Sequence, residues 1–94
     1  GGGFYENIPR ALNNRTKAVI ERSKVRVLPI FEEIQRVGEI PERDMFNTFN
    51  MGVGMIAVVS RDEADKALEV LKAAGEDAYL IGEIQAGEKT IEII

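Results

Sequence analysis

Apolar residues recur at helical spacing in three parts of the chain, and these parts are the predicted helices. The first begins at Pro29 and is closed by Gly38. A shorter helix follows Pro41, and another begins after Ser60 and stops at Gly75. Their apolar residues are Ile30, Phe31, Ile34, Val37, Met45, Phe46, Phe49, Ala64, Ala67, Leu68, Leu71 and Ala74.

Extended patterns between these helices predict strands. Residues 16–22 hold a short apolar run between turn-like residues, and residues 53–59 are apolar on both faces. A strand of the second kind is expected at the centre of a sheet. Residues 78–84 and 89–94 predict two further strands, and residues 85–88 are typical of a hairpin turn between them.

Together with a short first helix over residues 8–12, the predicted order is helix, strand, helix, helix, strand, helix, strand, strand. This order favours an α/β (α+β) fold in two layers, with helices on one face of a small mixed sheet of about four strands. The helix between strands 53–59 and 78–84 predicts a right-handed crossover between parallel neighbours. Ser60 and Glu63 have the spacing of a capping box at the start of that helix.

Length and composition indicate one ordinary globular domain over residues 1–94. The chain is 45% hydrophobic and 30% charged, and no apolar run approaches the ~20 residues that span a membrane. It contains no cysteine and no histidine. Acid–base chemistry would therefore fall to Asp, Glu, Lys or Tyr, so we expect no self-sufficient active site and assign no catalytic residue.

Charge is unevenly distributed along the chain. Residues 1–26 carry six basic and two acidic side chains, whereas the remainder carries six basic and fourteen acidic ones. A positive segment of this kind attracts an anionic ligand, although a solvated flank is the favoured interpretation of any single basic side chain. Nucleic acid is not an expected partner, since the net charge is −4 and no aromatic residues are interleaved with the basic ones.

The most informative segment is the glycine run that opens the chain. Gly1, Gly2 and Gly3 allow close approach of a ligand, and a helix start beyond them would offer N–H groups to a phosphate. Asn7 is expected either to contact the ligand or only to cap the helix, and Arg10 either to bind an anion or to lie in solvent. A glycine run is also what a cleaved tag leaves behind.

A second glycine pair lies at the start of the predicted strand 53–59. Gly52 and Gly54 leave one face without side chains, which permits a ligand to approach, or alternatively indicates a bulge or tight packing. Asn50 is the preferred ligand-contacting side chain beside that face. The methionines are expected to fill the core, and no metal site is predicted; these methionines are Met45, Met51 and Met55.

The sequences G-G-G-F-Y-E-N-I-P-R at 1–10 and T-F-N-M-G-V-G-M at 48–55 resemble signature segments of the aminoimidazole ribonucleotide synthetase (phosphoribosylformylglycinamidine cyclo-ligase) family. The resemblance covers all 94 residues and implies the later part of the family's C-terminal domain, the substrate-side portion of a larger two-domain enzyme. It also implies ATP-dependent ring closure of formylglycinamidine ribonucleotide to aminoimidazole ribonucleotide in purine biosynthesis. The family enzyme is a cytoplasmic homodimer.

The same resemblance implies that the matching residues hold the phosphate and ribose of the substrate. ATP and Mg²⁺ would be bound mainly by an N-terminal domain absent from this sequence, so the chain alone is expected to be inactive. The alternative is a free-standing ligand-sensing or assembly module of the same fold. The matching residues are Gly1, Gly2, Gly3, Asn7, Asn50, Gly52 and Gly54, with Arg10 added from its chemistry.

Overall fold

The computed structural model describes residues 2–94 of the chain. These residues contain a three-stranded mixed sheet. The strands are β1 (Thr16–Ile20), β2 (Gly82–Ala86) and β3 (Thr90–Ile93). The helices are α1 (Gly3–Asn7), α2 (Pro29–Gly38), α3 (Glu42–Thr48) and α4 (Ala64–Ala73), with 3₁₀ turns at Ile8–Ala11, Arg22–Lys24 and Arg61–Glu63. The structure is therefore α+β, with one strand fewer than the sequence predicts.

β1 is the central strand, and it pairs antiparallel with β2 and parallel with β3. Ala18 lies opposite Ile84 on one side and Ile91 on the other. The predicted hairpin between the last two strands is wrong, because each of them pairs with β1 and neither with the other. The short link between them passes the end of β1, where the Gly87 N–H donates to the Arg15 carbonyl at 3.0 Å.

In the described part of the chain, residues 2–94, the segment 53–59 does not form the predicted central strand. The predicted parallel crossover, which depended on that strand, is therefore wrong as well. The segment belongs to no strand, and no backbone hydrogen bond joins residues 54–59 to any described residue. A strand forms only where a neighbour offers its N–H and C=O groups. Both edges of β1 are already paired with β2 and β3, so residues 53–59 cannot pair with the central strand.

The core lies on one face of the sheet, where the first 3₁₀ turn contacts β1 and β3, α1 contacts β3, and α3 packs against α1. Phe4 and Phe46 meet edge to face in its centre, with ring centroids 4.9 Å apart. Met45 and Met51 are fully buried, as predicted, but Met55 is 90% exposed, so the prediction that it fills the core is wrong. The buried cluster comprises Phe4, Ile8, Leu12, Ala18, Ile20, Val25, Met45, Phe46, Met51 and Ile91.

The helices differ in how they join this layer. Phe31 and Ile34 of α2 pack against the core cluster, so the predicted two-layer arrangement holds for α1, α2 and α3. α4 buries no side chain, and its main contacts are with the 3₁₀ turn before it. Among residues 2–94, no helix has both the length and the apolar character needed to cross a bilayer.

The ends of α4 and α2 test the predicted helix start and stop signals. The capping box is wrong, because the 3₁₀ turn Arg61–Glu63 separates Ser60 from the helix and the Ser60 side chain caps nothing. Gly75 ends the helix as predicted, with φ 91° and its N–H donating to the Lys72 carbonyl at 3.0 Å. At the end of α2, the left-handed residue is Glu39, at φ 52°, rather than the predicted Gly38.

Candidate functional site

The described part of the opening glycine run is fixed by packing. Gly3 begins α1 at φ 52°, a region that favours glycine. A Cβ at Gly3 would lie 2.2 Å from the Phe46 carbonyl oxygen and 2.6 Å from that of Phe49. A glycine is therefore needed here so that α1 and α3 can approach each other closely. Gly1 lies outside the described residues.

A carboxylate lies beside this run. A Cβ on Gly2 would be 2.3 Å from Oε2 of Glu6, so the Glu6 side chain folds back over the glycine. Its negative charge repels a phosphate at this point. The Asn7 amide donates to the Gly3 carbonyl at 2.9 Å. With only five residues, α1 also has few aligned peptide dipoles to attract an anion.

The second glycine pair follows a tight turn. The side-chain oxygen of Asn50 accepts the Gly52 N–H at 2.8 Å, and the Asn50 carbonyl accepts the Val53 N–H at 2.9 Å. Gly52 has φ 103°, and a Cβ there would lie 2.7 Å from Cγ of Leu28, so this glycine serves the turn and its packing. At Gly54, by contrast, a Cβ would meet nothing within 4 Å.

Both segments line one cavity of about 580 Å³, within the ~300–1,000 Å³ typical of small-molecule sites. Of the predicted site residues, the structure brings Gly3, Asn7, Asn50 and Gly54 together here. Gly2, Arg10 and Gly52 are not part of its wall. The polar residues of the lining are Asn7, Thr48 and Asn50, and most of the remainder is apolar.

The cavity is electrically neutral. No charged side chain lines it among residues 2–94, and Arg10 is exposed outside it. The positive segment of the sequence is largely neutralised, because four of its six basic side chains pair with carboxylates. The pairs are Lys17 with Glu92, Arg22 with Glu42, Lys24 with Glu21 and Arg26 with Asp77.

Sequence reasoning missed an aromatic part of the wall. Phe31 of α2 and Phe49, directly before Asn50, lie with ring centroids 5.7 Å apart and planes tilted by 55°. Their spacing in the sequence predicts only that both lie on the buried faces of helices. Phe49 belongs to the second glycine-rich segment, which is the signal that placed Asn50 in the site. Nothing in the sequence links Phe31 to this segment.

The cavity wall contains no carboxylate or imidazole side chain from residues 2–94. Within residues 2–94, no group of three or more His, Cys, Asp or Glu is arranged to hold a metal ion. The wall supplies amide, backbone and aromatic groups, which bind neutral polar and planar groups. What this arrangement can do chemically is bind and orient a ligand.

Comparison with known proteins shows which family the chain resembles. Residues 1–94 match the family model described as AIR synthase related protein, C-terminal domain. Proteins named phosphoribosylformylglycinamidine cyclo-ligase are similar to the chain: those of Lachnoclostridium phytofermentans (50% identical over 97% of the chain) and Brevibacillus brevis (53% over 97%). The protein of that name from Lachnospira eligens is 48% identical over 99% of the chain. The chain spans 26–27% of the length of these relatives.

Proposed function

The chain belongs to the AIR synthase related protein C-terminal domain family, and from this membership we propose that it is the substrate-side part of a phosphoribosylformylglycinamidine cyclo-ligase. The longer enzyme would close formylglycinamidine ribonucleotide to aminoimidazole ribonucleotide with ATP. The observation that carries the proposal is the shared cavity, in which Asn7 and Asn50 come together from segments far apart in the sequence.

The proposed role of the cavity is to bind and orient the substrate. Asn50 uses its side-chain oxygen in the turn to Gly52, while its Nδ2 donates to no other described residue. That amide N–H is suited to an oxygen or unprotonated nitrogen of the ligand. Since ring closure joins two atoms of one molecule, holding them close accelerates the reaction without any acid or base from this chain.

ATP and Mg²⁺ would bind mainly to a preceding domain of the longer enzyme. ATP supplies phosphoryl transfer that activates the substrate for ring closure. This assignment is supported by the neutral cavity wall, which lacks ligands for the metal. We therefore propose that the 94 residues alone are inactive. The cytoplasmic location and homodimeric state implied by the family resemblance belong to the same proposal.

The test uses a chimera in which the part of the L. phytofermentans relative that precedes the matched region is placed before Gly1. We expect this chimera to consume formylglycinamidine ribonucleotide and ATP, and the 94-residue chain alone to show no turnover. Failure of the chimera to cyclise the substrate, while the intact relative does so, contradicts the proposal.

Asn50 variants of the chimera test the site itself. Asn50→Asp keeps the oxygen that accepts the Gly52 N–H but replaces the donor group with a negative charge, whereas Asn50→Ala loses both. A hydrogen bond and its desolvation are worth about 1–3 kcal/mol, so we expect kcat/KM to fall by about 5- to 150-fold in both variants. Asn14→Ala, in an exposed loop outside the cavity, is the control. Equal activity of all three variants would remove Asn50 from the site.

The free-standing sensing module is the competing function. It predicts that the 94-residue chain binds a metabolite tightly in calorimetry, with no affinity for formylglycinamidine ribonucleotide. Measurable binding of that ribonucleotide, lost in Asn50→Asp, supports the cyclo-ligase instead.

A further inference from the structure

An exposed apolar segment follows Gly54. Residues 45–60 contain no charged side chain, although 30% of the whole sequence is charged. Within this stretch Met55 is 90% exposed, Val58 50% and Val59 44%. Loops are usually polar because water solvates them, so an uncharged and exposed run of large apolar residues calls for a partner.

The backbone of this segment is equally unpartnered. No hydrogen bond joins the N–H or C=O groups of residues 54–59 to another described residue. Proteins protect a strand edge that faces water with charges, prolines or a very short strand. Residues 54–59 contain neither a charge nor a proline. The segment has the composition of an interior strand and lacks the devices of an exposed one.

We propose that residues 54–59 form an interior β-strand whose neighbouring strand is supplied by the remainder of the longer polypeptide, and that this pairing completes the wall of the cavity. The proposal rests on the proposed function in one respect, that the chain is part of such a polypeptide. The partner is thus an apolar strand of the same enzyme, bound by main-chain hydrogen bonds.

Two observations favour this occupant over a second copy of the chain. The segment is apolar on both faces, and its side chains Met55, Ile56, Val58 and Val59 are all at least 37% exposed. Symmetric pairing of two copies would satisfy one edge of each segment and leave the other edge open. The relatives are about four times longer than the chain, and so contain polypeptide enough to cover both edges and both faces.

The pairing would also affect the ligand site. Ile56 and Val58 line the cavity, so this part of the wall is formed by backbone that has no strand partner among residues 2–94. A wall held by strand pairing presents Asn50 and Gly54 in a fixed geometry, which a substrate-orienting site requires.

Amide hydrogen exchange tests the pairing. In the 94-residue chain we expect residues 55–59 to exchange at nearly the rate of an unstructured peptide, while Val19, in the central strand, is protected. In the chimera defined above we expect residues 55–59 to exchange at least about 100-fold more slowly, because ladder N–H groups exchange only on opening. The matching segment of the intact L. phytofermentans protein is expected to be protected in the same way.

Two other outcomes decide against the proposal. Unprotected amides in both the chimera and the intact relative overturn it. Protection in the 94-residue chain, together with a dimeric mass in analytical ultracentrifugation, would make a second copy the occupant and overturn it as well. Protection in a chimera that does not cyclise the substrate supports the pairing and contradicts only the proposed function.

A proline at residue 57 separates backbone pairing from side-chain burial. Ala57→Pro removes one N–H, which donates to no other residue of the described range 2–94. We expect unchanged exchange at Val19 in that chain but loss of protection at residues 55–59 in the chimera. Ala57→Ser, which keeps the N–H, is the matched control and is expected to retain protection. Equal protection in the two variants of the chimera would contradict strand pairing.

Discussion

Gly3 and Gly54 have different structural roles, although both are glycines. Gly3 lies against the carbonyl oxygens of Phe46 and Phe49, so it sets the distance between α1 and α3. Gly54 has open space on the cavity side and a backbone that other residues also adopt. The first is required by the fold, and the second leaves room that a ligand can use.

Alanine substitutions at Gly3 and Gly54 test whether the two glycines have these different roles. We expect Gly3→Ala to lower the free energy of unfolding by at least about 1–3 kcal/mol, because the methyl group collides with backbone that cannot move aside. Gly54→Ala should change it by less than about 0.5 kcal/mol. Urea denaturation of the 94-residue chain measures both. Equal destabilisation by the two substitutions would contradict this difference.

A larger side chain at Gly54 tests the cavity. Gly54→Leu places an isobutyl group in the cavity, so we expect KM of the chimera for formylglycinamidine ribonucleotide to rise by about tenfold or more, a loss of about 1.4 kcal/mol in binding. Steady-state kinetics give KM, and thermal denaturation checks that the fold is intact. Gly54→Ala is the smaller control, and an unchanged KM in Gly54→Leu would place the substrate elsewhere.

The elements differ in how far tertiary contacts support them. β1 is buried along most of its length between two partners, and α3 buries Met45 and Phe46. α4, by contrast, buries no side chain and leaves Val70 59% exposed. A ten-residue helix without tertiary packing is marginal in water. α4 is therefore the helix whose formation depends most on what covers it.

Substitutions at two polar residues test local capping. Ser60→Ala should change the free energy of unfolding by less than about 0.5 kcal/mol, because the Ser60 side chain caps no N–H. Asn13→Ala should cost about 1 kcal/mol, since its side chain accepts the Arg15 N–H at 2.9 Å. Urea denaturation with exchange rates for α4 measures both. A loss of 1 kcal/mol or more in Ser60→Ala would show that the capping box forms after all.

The whole molecule is more open than its length suggests. Its radius of gyration is 13.9 Å, whereas a compact domain of this length has about 12.4 Å. One cluster around Phe46 holds α1, α3 and the sheet together, while residues 54–75 contribute nothing to the buried set. The free energy of unfolding should therefore depend almost entirely on that cluster.

Truncation of the central aromatic residue tests this dependence. Phe46 is 1% exposed and contacts Phe4, so we expect Phe46→Ala to cost about 3–5 kcal/mol. A loss of this size is comparable to the whole stability of a small domain. Val37→Ala, at a position 67% exposed, is the control and should be nearly neutral. Circular dichroism during urea denaturation measures both, and a mild effect of Phe46→Ala would mean that a second core carries the fold.

Much of the local structure follows from the sequence. The helix after Pro29, the helix end near Gly75 and the burial of Met45 and Met51 were all predicted. These features depend on side-chain spacing and backbone preference within a few residues, which the sequence states directly. A shared site for Asn7 and Asn50 is expected only from family resemblance, not from any local signal, and its role in binding stays a prediction.

Only the tertiary structure decided which strands pair and what lines the cavity. The segment over 54–59 has an apolar pattern typical of a strand, yet it has no partner within residues 2–94, and the predicted hairpin gave way to pairing of both strands with β1. Phe31 reaches the cavity because α2 packs beside α3, where Phe31 meets Phe49. Strand pairing and cavity walls need groups from distant parts of the chain, so side-chain order alone does not specify them.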